Sequence, residues 1–215
     1  MLNFEKNLEK STTDLLTNAY QRVIDWNTVV GKADWTQPKA VENQMSVVHE
    51  ELITELGGAD SSVSFVDAIC DSFVVVSNLF YLVSKGASYT PTTMINAKVV
   101  DSYSFLTDDA VEQYLTDTDG VRLVLDHICN IIVNYRTFDC IGALYDILDN
   151  NDGKFVKKEC KDVIDGIMSF YEQSGEDVES VVSGDVVWFR RVSDNKVMKP
   201  KPFFYEVDFA HRRVM

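Results

Sequence analysis

Four acidic side chains lie at helical spacing on two consecutive apolar segments of the chain. Glu51 and Glu55 are four residues apart in the first segment, and Asp67 and Asp71 are four residues apart in the second. Residues four apart lie on one face of an α-helix, about 40° from each other around its axis. If the two helices pack as a hairpin, the four carboxylates face one another in a partly dry space. Their mutual repulsion then requires a counter-cation.

The donor atoms indicate which cation this would be. Carboxylate oxygens without His or Cys favour Mg²⁺ or Mn²⁺ over zinc, and Mg²⁺ combines a few carboxylates with water and substrate phosphate oxygens. The predicted chemistry is metal-assisted phosphate transfer, in which a carboxylate such as Glu50 or Glu51 takes a proton from the attacking water. On a helical wheel that starts at Glu51, Glu50 lies at about 260°, toward solvent or the far side.

Two simpler interpretations compete with a metal site. Glutamates on a helix are usually a solvated face, and Asp67 and Asp71 can cap or hydrogen-bond inside a helical core without any metal. The wheel favours the site, because Glu51 and Glu55 border the apolar stripe of their helix. Asn78 falls on the polar stripe of Asp67 and Asp71, at about 20° on that helix. Periodicity alone does not decide further.

The elements that would position these residues are mostly helices. The chain has only 4 prolines and 10 glycines, and apolar residues recur at spacings of three and four. Later in the chain the period changes to that of short strands, with Ser193-Asp194-Asn195 as a turn. The predicted helices cover about 4–30, 41–56, 63–83, one or two helices within 121–148, and 157–171, and the predicted strands lie near 178–182, 186–191 and 196–199.

Composition excludes several classes of protein. The 20 Lys and Arg residues against 34 Asp and Glu residues give a net charge of −14, which disfavours binding to a nucleic-acid polymer. No signal peptide or long uninterrupted apolar run is evident, so we expect a cytoplasmic protein without a membrane span. The 4 cysteines form no C-x-x-C pair, and three of them lie in apolar helical surroundings typical of packing residues.

The acidic segments resemble the all-α nucleoside triphosphate pyrophosphohydrolases of the MazG-like and phosphoribosyl-ATP pyrophosphohydrolase-like kind, particularly their phage-type members. The motif Glu-Glu-x-x-Glu of that family is similar to His49-Glu50-Glu51-Leu52-Ile53-Thr54-Glu55. Thr54 stands where the last motif glutamate is expected, and Glu55 follows one residue later. The segment from Asp67 to Asp71 is similar to the family's Asp-Ala-x-x-Asp, with Ser64 where many members have a glutamate.

Further likenesses extend along the chain. Asn78 matches an asparagine that some MazG-like proteins have in this helix. The segment from Asn150 to Phe155 is similar to a family element that ends a helix, and the likeness implies that Asn151 and Lys154 contact the phosphate chain. A lysine in a turn can bind phosphate as a mobile point charge, although a helix end with a solvated lysine has the same pattern. The tail from Val186 resembles the C-terminal hairpin of phage-type members.

The resemblance implies a mainly α fold, a bundle of four or more helices with a small C-terminal β-hairpin. We expect one domain over 1–215 with a β appendage at about 178–209. The implied activity is Mg²⁺-dependent (Mn²⁺ also fits) cleavage of a (deoxy)nucleoside triphosphate to the monophosphate and pyrophosphate. The implied roles are metal ligands at Glu51, Glu55, Asp67 and Asp71, catalytic carboxylates at Glu50 and Glu51, and substrate contacts at Asn78, Asn151 and Lys154.

Three matters stay open at this point. The substrate can instead be a guanosine tetraphosphate alarmone or a modified nucleotide, because no base-reading residue can be identified. The chain can also be a nucleotide-binding protein whose chemistry has lapsed, since Thr54 and Ser64 replace expected acidic residues. Finally, apolar side chains at Phe73, Val76, Phe80 and Val83 favour a homodimer or homotetramer that would bury them.

Overall fold

A computed structural model describes residues 2–92, 98–108, 110–205 and 207–214. The chain divides into two compact units. The first, here called the helical unit, comprises Met1–Ile147 and Asp208–Met215. The second, here called the sheet unit, comprises Leu148–Val207.

The helical unit contains long helices joined by short links. Its elements are α1 (Leu2–Val29), α2 (Ala40–Val48), a π-helix (His49–Glu55), α3 (Leu56–Gly58), α4 (Ser62–Val83), α5 (Val99–Leu106), α6 (Val111–Tyr114), α7 (Thr118–Asn134) and the first part of α8 (Cys140–Asp152). A 3₁₀ turn, Phe209–Arg212, follows the return of the chain to this unit. The predicted helix over about 41–56 is confirmed as a continuous helical run, which ends at Gly58.

Helix α4 is the centre of the helical unit, and α1, α2 and α7 pack against it. A reciprocal capping box starts α4: the Ser64 N–H donates to Ser61 Oγ at 3.1 Å, and the Ser61 N–H donates to Ser64 Oγ at 3.0 Å. Ile69, Phe73 and Val76 of α4 are fully buried. Burial of each such side chain stabilises the fold by about 1.5–3 kcal/mol relative to an exposed position.

By length and composition alone, α4 is apolar enough to cross a membrane, and it is the one such helix in the part of the chain that the structure describes. Its most apolar 18-residue window is 72% buried inside the protein. Such burial is the ordinary state of a core helix, and this single helix is weak evidence for a membrane span.

Most of the apolar residues that favoured an oligomer are already covered. Phe73, Val76 and Phe80 are at most 2% exposed within the helical unit itself. Val83 is half-buried. Three of the four residues behind the expected homodimer or homotetramer are therefore core residues, and the oligomer stays a prediction. The expectation for the cysteines is confirmed, since Cys70, Cys129 and Cys140 are buried and Cys160 is exposed.

The sheet unit contains a four-stranded antiparallel sheet and one helix after α8. Its elements are β1 (Val156–Lys157), α9 (Lys161–Ser174), β2 (Val178–Ser183), β3 (Val186–Arg191) and β4 (Val197–Met198). Strand β3 pairs with each of the other three strands. Ile167 and Tyr171 of α9 pack with Val178, Val187 and Phe189 to form the core.

The prediction of a mainly α chain with a small C-terminal β element is confirmed. One detail of the predicted boundaries is wrong, because Lys157 lies in β1 and α9 begins only at Lys161. The error has a physical reason: a two-residue strand is too short to show a period, and β1 pairs with a strand that comes almost thirty residues later, Val156 opposite Val187.

Candidate functional site

The polar stripes of α2 and α4 meet through a pair of buried amides. The Asn78 amide donates from Nδ2 to Gln44 Oε1 at 2.8 Å, and the Gln44 amide donates from Nε2 to the Val75 carbonyl at 2.8 Å. The link between the helices is short, so they run antiparallel. Seven residues beyond Gln44 is Glu51, and seven residues before Asn78 is Asp71. The amide pair therefore fixes a register in which Glu51 and Asp71 lie at the same level.

The Glu51 carboxyl is partly buried, and its ionisation is strongly disfavoured. Burial is the largest cause, and the charges of Asp71, Glu55 and Glu50 add to it, in that order. Together they raise the pKa of Glu51 to about 8. A carboxylate among carboxylates in a partly dry space titrates in this way, because removal from water and like charges both favour the protonated form. At neutral pH Glu51 therefore holds a proton unless a cation replaces it.

The Glu51 segment forms a π-helix over His49–Glu55. The Leu56 N–H donates to the Glu51 carbonyl, five residues back instead of the four of an α-helix. The same carbonyl accepts a bond from the Ser72 hydroxyl of α4 at 3.4 Å.

The remaining acidic residues surround this point at the surface. Glu50, Glu55 and Asp67 are exposed, and Asp71 is half-buried. Glu55 and Asp67 stand eleven residues from Gln44 and Asn78 respectively, so the antiparallel register puts them at one level beyond the Glu51 and Asp71 pair. We call Glu50, Glu51, Glu55 and Asp71 the acid cluster.

The donors of the acid cluster have the chemistry that a hard divalent cation prefers, since all of them are carboxylate oxygens. In the part of the chain that the structure describes, no group of three or more His, Cys, Asp or Glu side chains is yet arranged closely enough to hold a metal ion. The cluster fits Mg²⁺ by donor type and by its excess of negative charge, and its side chains would have to converge to complete a ligand shell.

Asn78 lies in the interior. Its side chain is 1% exposed, and its Nδ2 donates to Gln44 and, at 3.4 Å, to the Lys32 carbonyl. The Asn78 Oδ1 atom is buried and has no hydrogen-bond partner among the described residues. The amide group joins α2, α4 and the segment after α1, so its observed role is to hold these elements together.

Asn151 and Lys154 lie in the sheet unit, where the structure brings them together. Lys154 Nζ donates to Asn151 Oδ1 at 2.7 Å, across the end of α8. Both side chains are half-buried. An ammonium group held beside an amide can bind a phosphate oxygen, and the same contact also serves as an ordinary helix end.

Sequence reasoning did not single out Thr54 or Ser72 as parts of the site. The Thr54 hydroxyl donates to the His49 carbonyl at 3.3 Å, again over five residues, and Ser72 is fully buried beside Asp71. One signal for Thr54 was present: the residue is the extra one in the Glu-Glu-x-x-Glu likeness. Nothing in the apolar pattern of α4 distinguished Ser72 from a small packing residue.

A cavity of about 340 Å³ lies beside the π-helix. Its described lining residues are Ile53, Leu106, Thr107, Asp108, Val111 and Glu112. At its edge His49 Nε2 lies 3.3 Å from a carboxylate oxygen of Glu112. None of the acid-cluster residues is among these lining residues, so the cavity and the cluster are separate features of the same segment.

A second group of acidic residues in the helical unit has a different environment. Arg212 donates to both carboxylate oxygens of Asp146, at 2.7 and 2.8 Å, and to Asp139 at 3.2 Å. His211 Nε2 lies 3.5 Å from Asp146. The Arg212 hydrogen bonds hold the pKa of Asp146 below its usual range. We call these four residues the arginine cluster.

Comparison with family models, with curated proteins and with solved structures gives no match for this chain.

Proposed function

We propose that the protein is a Mg²⁺-dependent nucleoside triphosphate pyrophosphohydrolase, and that the acid cluster is where the metal binds. The observation that supports this best is the raised pKa of Glu51, about 8, in the presence of Asp71, Glu55 and Glu50. Burial and repulsion both oppose a negative charge on Glu51, and a divalent cation would offset them by replacing the proton on Glu51. The donor set and the likeness to MazG-like proteins agree with that assignment.

Each residue has a defined part in this proposal. Glu51, Glu55, Asp71 and, from the neighbouring turn of α4, Asp67 would hold the metal. When bound, Mg²⁺ would neutralise the phosphate chain and lower the pKa of a bound water. A carboxylate among Glu50, Glu51 and Glu55 would take a proton from the attacking water. At the same time the water oxygen would bond to one phosphorus of the α–β anhydride. The bond from that phosphorus to the bridging oxygen would break, which gives the nucleoside monophosphate and pyrophosphate.

The three expected substrate contacts, Asn78, Asn151 and Lys154, differ in how well the structure supports them. Asn151 and Lys154 form a polar pair that can bind phosphate, and we assign them that role by the likeness of their segment. Asn78 is less suited to direct contact, because its amide is buried and already donates to Gln44. Its contribution would be to fix the register of Glu51 and Asp71.

A lapsed nucleotide-binding protein on the same fold is the second candidate. The absence of a closed metal-ligand group in the described residues favours it, as does the use of Ser64 as a helix-capping residue. The two candidates differ in one observable: only the hydrolase releases pyrophosphate.

The experiment is to measure pyrophosphate release from a panel of nucleoside and deoxynucleoside triphosphates, and from alarmones, with Mg²⁺. We expect turnover by the parent and a loss of at least about 100-fold in Asp71→Asn, typical of removing one group that stabilises transition-state charge. Asp14→Asn is the matched control, since Asp14 is exposed on α1. Equal rates for the parent and Asp71→Asn would contradict the metal assignment, and no turnover on any nucleotide would favour the binding protein.

A further inference from the structure

The two edges of the sheet in the sheet unit are built differently. On one side of β3 lie β1 and β4, which are strands of two residues each. On the other side β2 runs over six residues, Val178–Ser183, and pairs with β3 in an unbroken register. Proteins limit pairing at a sheet edge by keeping the edge strand short or by placing lysine, proline or a bulge in it. Strand β2 contains no lysine, proline or bulge.

The phase of the hydrogen bonds shows which backbone groups of β2 point away from β3. The Val192 N–H donates to the Asp177 carbonyl at 2.9 Å, one step beyond the ladder, so these two residues form a hydrogen-bonded pair. Such pairs alternate along an antiparallel ladder. Every second residue from Asp177 onward therefore bonds to β3, whereas the N–H and C=O groups of Val178, Ser180 and Val182 point outward. Among the described residues, the outward groups of Ser180 and Val182 have no hydrogen-bond partner.

The second half of this edge is open to solvent. Ser180 is exposed and Val182 is 56% exposed, whereas Val178 is only 8% exposed. The one charged side chain of β2, Glu179, lies opposite Arg190 of β3 and accepts a hydrogen bond from Arg190 Nε at 2.8 Å. The charge on this strand is therefore balanced within the hairpin, although the whole chain has a net charge of −14.

Two copies of β2 can pair with each other in one register that satisfies the accessible groups. Hydrogen-bonded pairs must form between outward residues, so Ser180 of each strand lies opposite Val182 of the other. Val181 then meets its own counterpart at a two-fold axis, and β-branched residues pack well against each other across strands. An axis at Ser180 would need the backbone of Val178, which is buried. An axis at Glu179 would set two like charges against each other.

We propose that β2 binds β2 of a second copy of this chain, antiparallel and about a two-fold axis, so that the two sheets join into one. Backbone hydrogen bonds supply the attraction, as they do when an extended strand is added to a sheet edge. A two-fold contact uses the same patch of both partners, and the accessible residues of β2 are complementary to themselves. The contact is smaller than a standard stable interface, so we expect a dimer that dissociates on dilution. The proposal does not depend on the nucleotide chemistry.

The first test removes an outward donor and keeps the hydrogen bonds of the hairpin. Ser180→Pro lacks the N–H that points away from β3, and proline is tolerated at such a position of an edge strand. Ser180→Ala keeps the N–H and is the matched control. Sedimentation equilibrium measures the dissociation constant of the dimer. We expect Ser180→Pro to raise it about 25-fold, because each copy loses one hydrogen bond that contributes roughly fivefold, and Ser180→Ala to leave it near the parent value.

The second test measures the register by cross-linking. Opposite residues at a non-hydrogen-bonded position have Cα atoms about 4.5 Å apart, which a disulfide can span. Val181→Cys should therefore form a covalent dimer in a glutathione redox buffer. Ser183→Cys is the matched control on the same face of the strand, because its counterpart would lie roughly 13 Å away along the second strand. Both variants also carry Cys160→Ser, since Cys160 is exposed.

The outcomes decide whether a second copy occupies the edge. A covalent dimer that forms at least about tenfold faster in Val181→Cys than in Ser183→Cys supports the pairing and its register. Equal rates would overturn the proposal, and so would a dissociation constant that Ser180→Pro leaves unchanged. A parent that stays monomeric at about 1 mM would also overturn it, because the edge would then be left for an extended segment of another protein. If Ser180→Pro fails to fold, the cross-linking rates alone decide.

Discussion

The helical unit contains two groups of carboxylates with opposite electrostatics. In the acid cluster, burial and the charges of three other carboxylates raise the pKa of Glu51 to about 8. In the arginine cluster, hydrogen bonds from Arg212 lower the pKa of Asp146, with a smaller contribution from the charge of His211. Burial is the largest cause of the raised pKa of Glu51, whereas at Asp146 the hydrogen bond from Arg212 outweighs the opposing effect of burial.

The difference lies in which charges act on each carboxyl group. The arginine cluster supplies its own cation and closes the C-terminal segment onto α8, which makes it a structural contact. The charges that act on Glu51 are all negative, so a cation that binds from solution would stabilise this cluster. The number of acidic residues therefore does not distinguish the acid cluster from the arginine cluster, whereas the direction of the pKa shift does.

The largest effect that this contrast predicts is stabilisation of the parent by Mg²⁺. A ligand that binds only the folded state, at a hundred times its dissociation constant, raises the free energy of unfolding by about 2.7 kcal/mol. Asp71→Asn should lose most of this increase, whereas Asp14→Asn should retain it. Urea unfolding with and without Mg²⁺ measures the effect. Equal stabilisation of Asp71→Asn and the parent would mean that the acid cluster, like the arginine cluster, is not where Mg²⁺ binds.

A second prediction concerns Glu51 without divalent cations. Folded Glu51 keeps its proton up to about pH 8, whereas in the unfolded chain the proton is lost near about pH 4.3. Between these values the folded state binds more protons, so the free energy of unfolding falls as pH rises. Glu51→Gln removes this dependence and should be more stable than the parent above the folded pKa. The full pKa difference corresponds to about 5 kcal/mol, and because solvent screens this partly exposed carboxyl group, we expect a gain of about 2 kcal/mol.

The control for this prediction is Glu42→Gln, since Glu42 is exposed on α2. It should leave the pH dependence of unfolding unchanged. If Glu51→Gln and the parent lose stability in parallel from acid to alkaline pH, the proton on Glu51 is not what distinguishes the acid cluster.

The arginine cluster should show the opposite pH dependence. A carboxyl group with a lowered folded pKa contributes stability above its unfolded pKa, about 3.9, and loses that contribution as pH falls through the folded value. Arg212→Gln should therefore cost about 1 kcal/mol at neutral pH, and the cost should vanish in acid. Arg122→Gln on α7, also exposed, is the comparison, and a cost independent of pH would show that Arg212 acts by packing alone.

The smallest expected effect belongs to Asp67. Its side chain is exposed on α4, one turn before Asp71. Asp67→Asn should weaken Mg²⁺ binding by about threefold, the magnitude of an exposed charge interaction. Calorimetry on Asp67→Asn and Asp71→Asn compares the two aspartates directly. An equal loss of Mg²⁺ affinity in both variants would show that Asp67 belongs to the acid cluster as much as Asp71 does.

Much of the scaffold was predictable from the sequence. Apolar spacing defined α1 and α4 to within a few residues, and Ser193-Asp194-Asn195 formed the predicted turn before β4. The spacing left open whether 121–148 holds one helix or two, and the structure has two, α7 and α8. These features depend on the local conformational preferences of the residues, which can be inferred directly from the sequence. The short strand β1 was not predictable in this way, because it exists only through pairing with β3.

The site shows the same division. A wheel placed Asn78 on the polar stripe of Asp67 and Asp71, and the hydrogen bond from the Asn78 amide to Gln44 depends on that alternation of polar and apolar residues. The wheel could not place Glu50, because it assumed α-helical geometry through the π-helix. It also could not separate Asn78, which is buried, from Asp67, which is exposed, although both lie on one stripe of α4. The depth of a residue depends on the neighbouring helix, which periodicity does not include.

The central claim is that a divalent cation replaces the proton on Glu51. Carbon-detected NMR of the glutamate side-chain carboxyl groups, with Glu51→Gln to assign the signal, measures the Glu51 titration with and without Mg²⁺. We predict a pKa of about 8 without the metal, and a value lower by about 2 pH units with saturating Mg²⁺, as expected for a carboxylate beside an opposite charge. The same titration curve in both conditions would contradict the account.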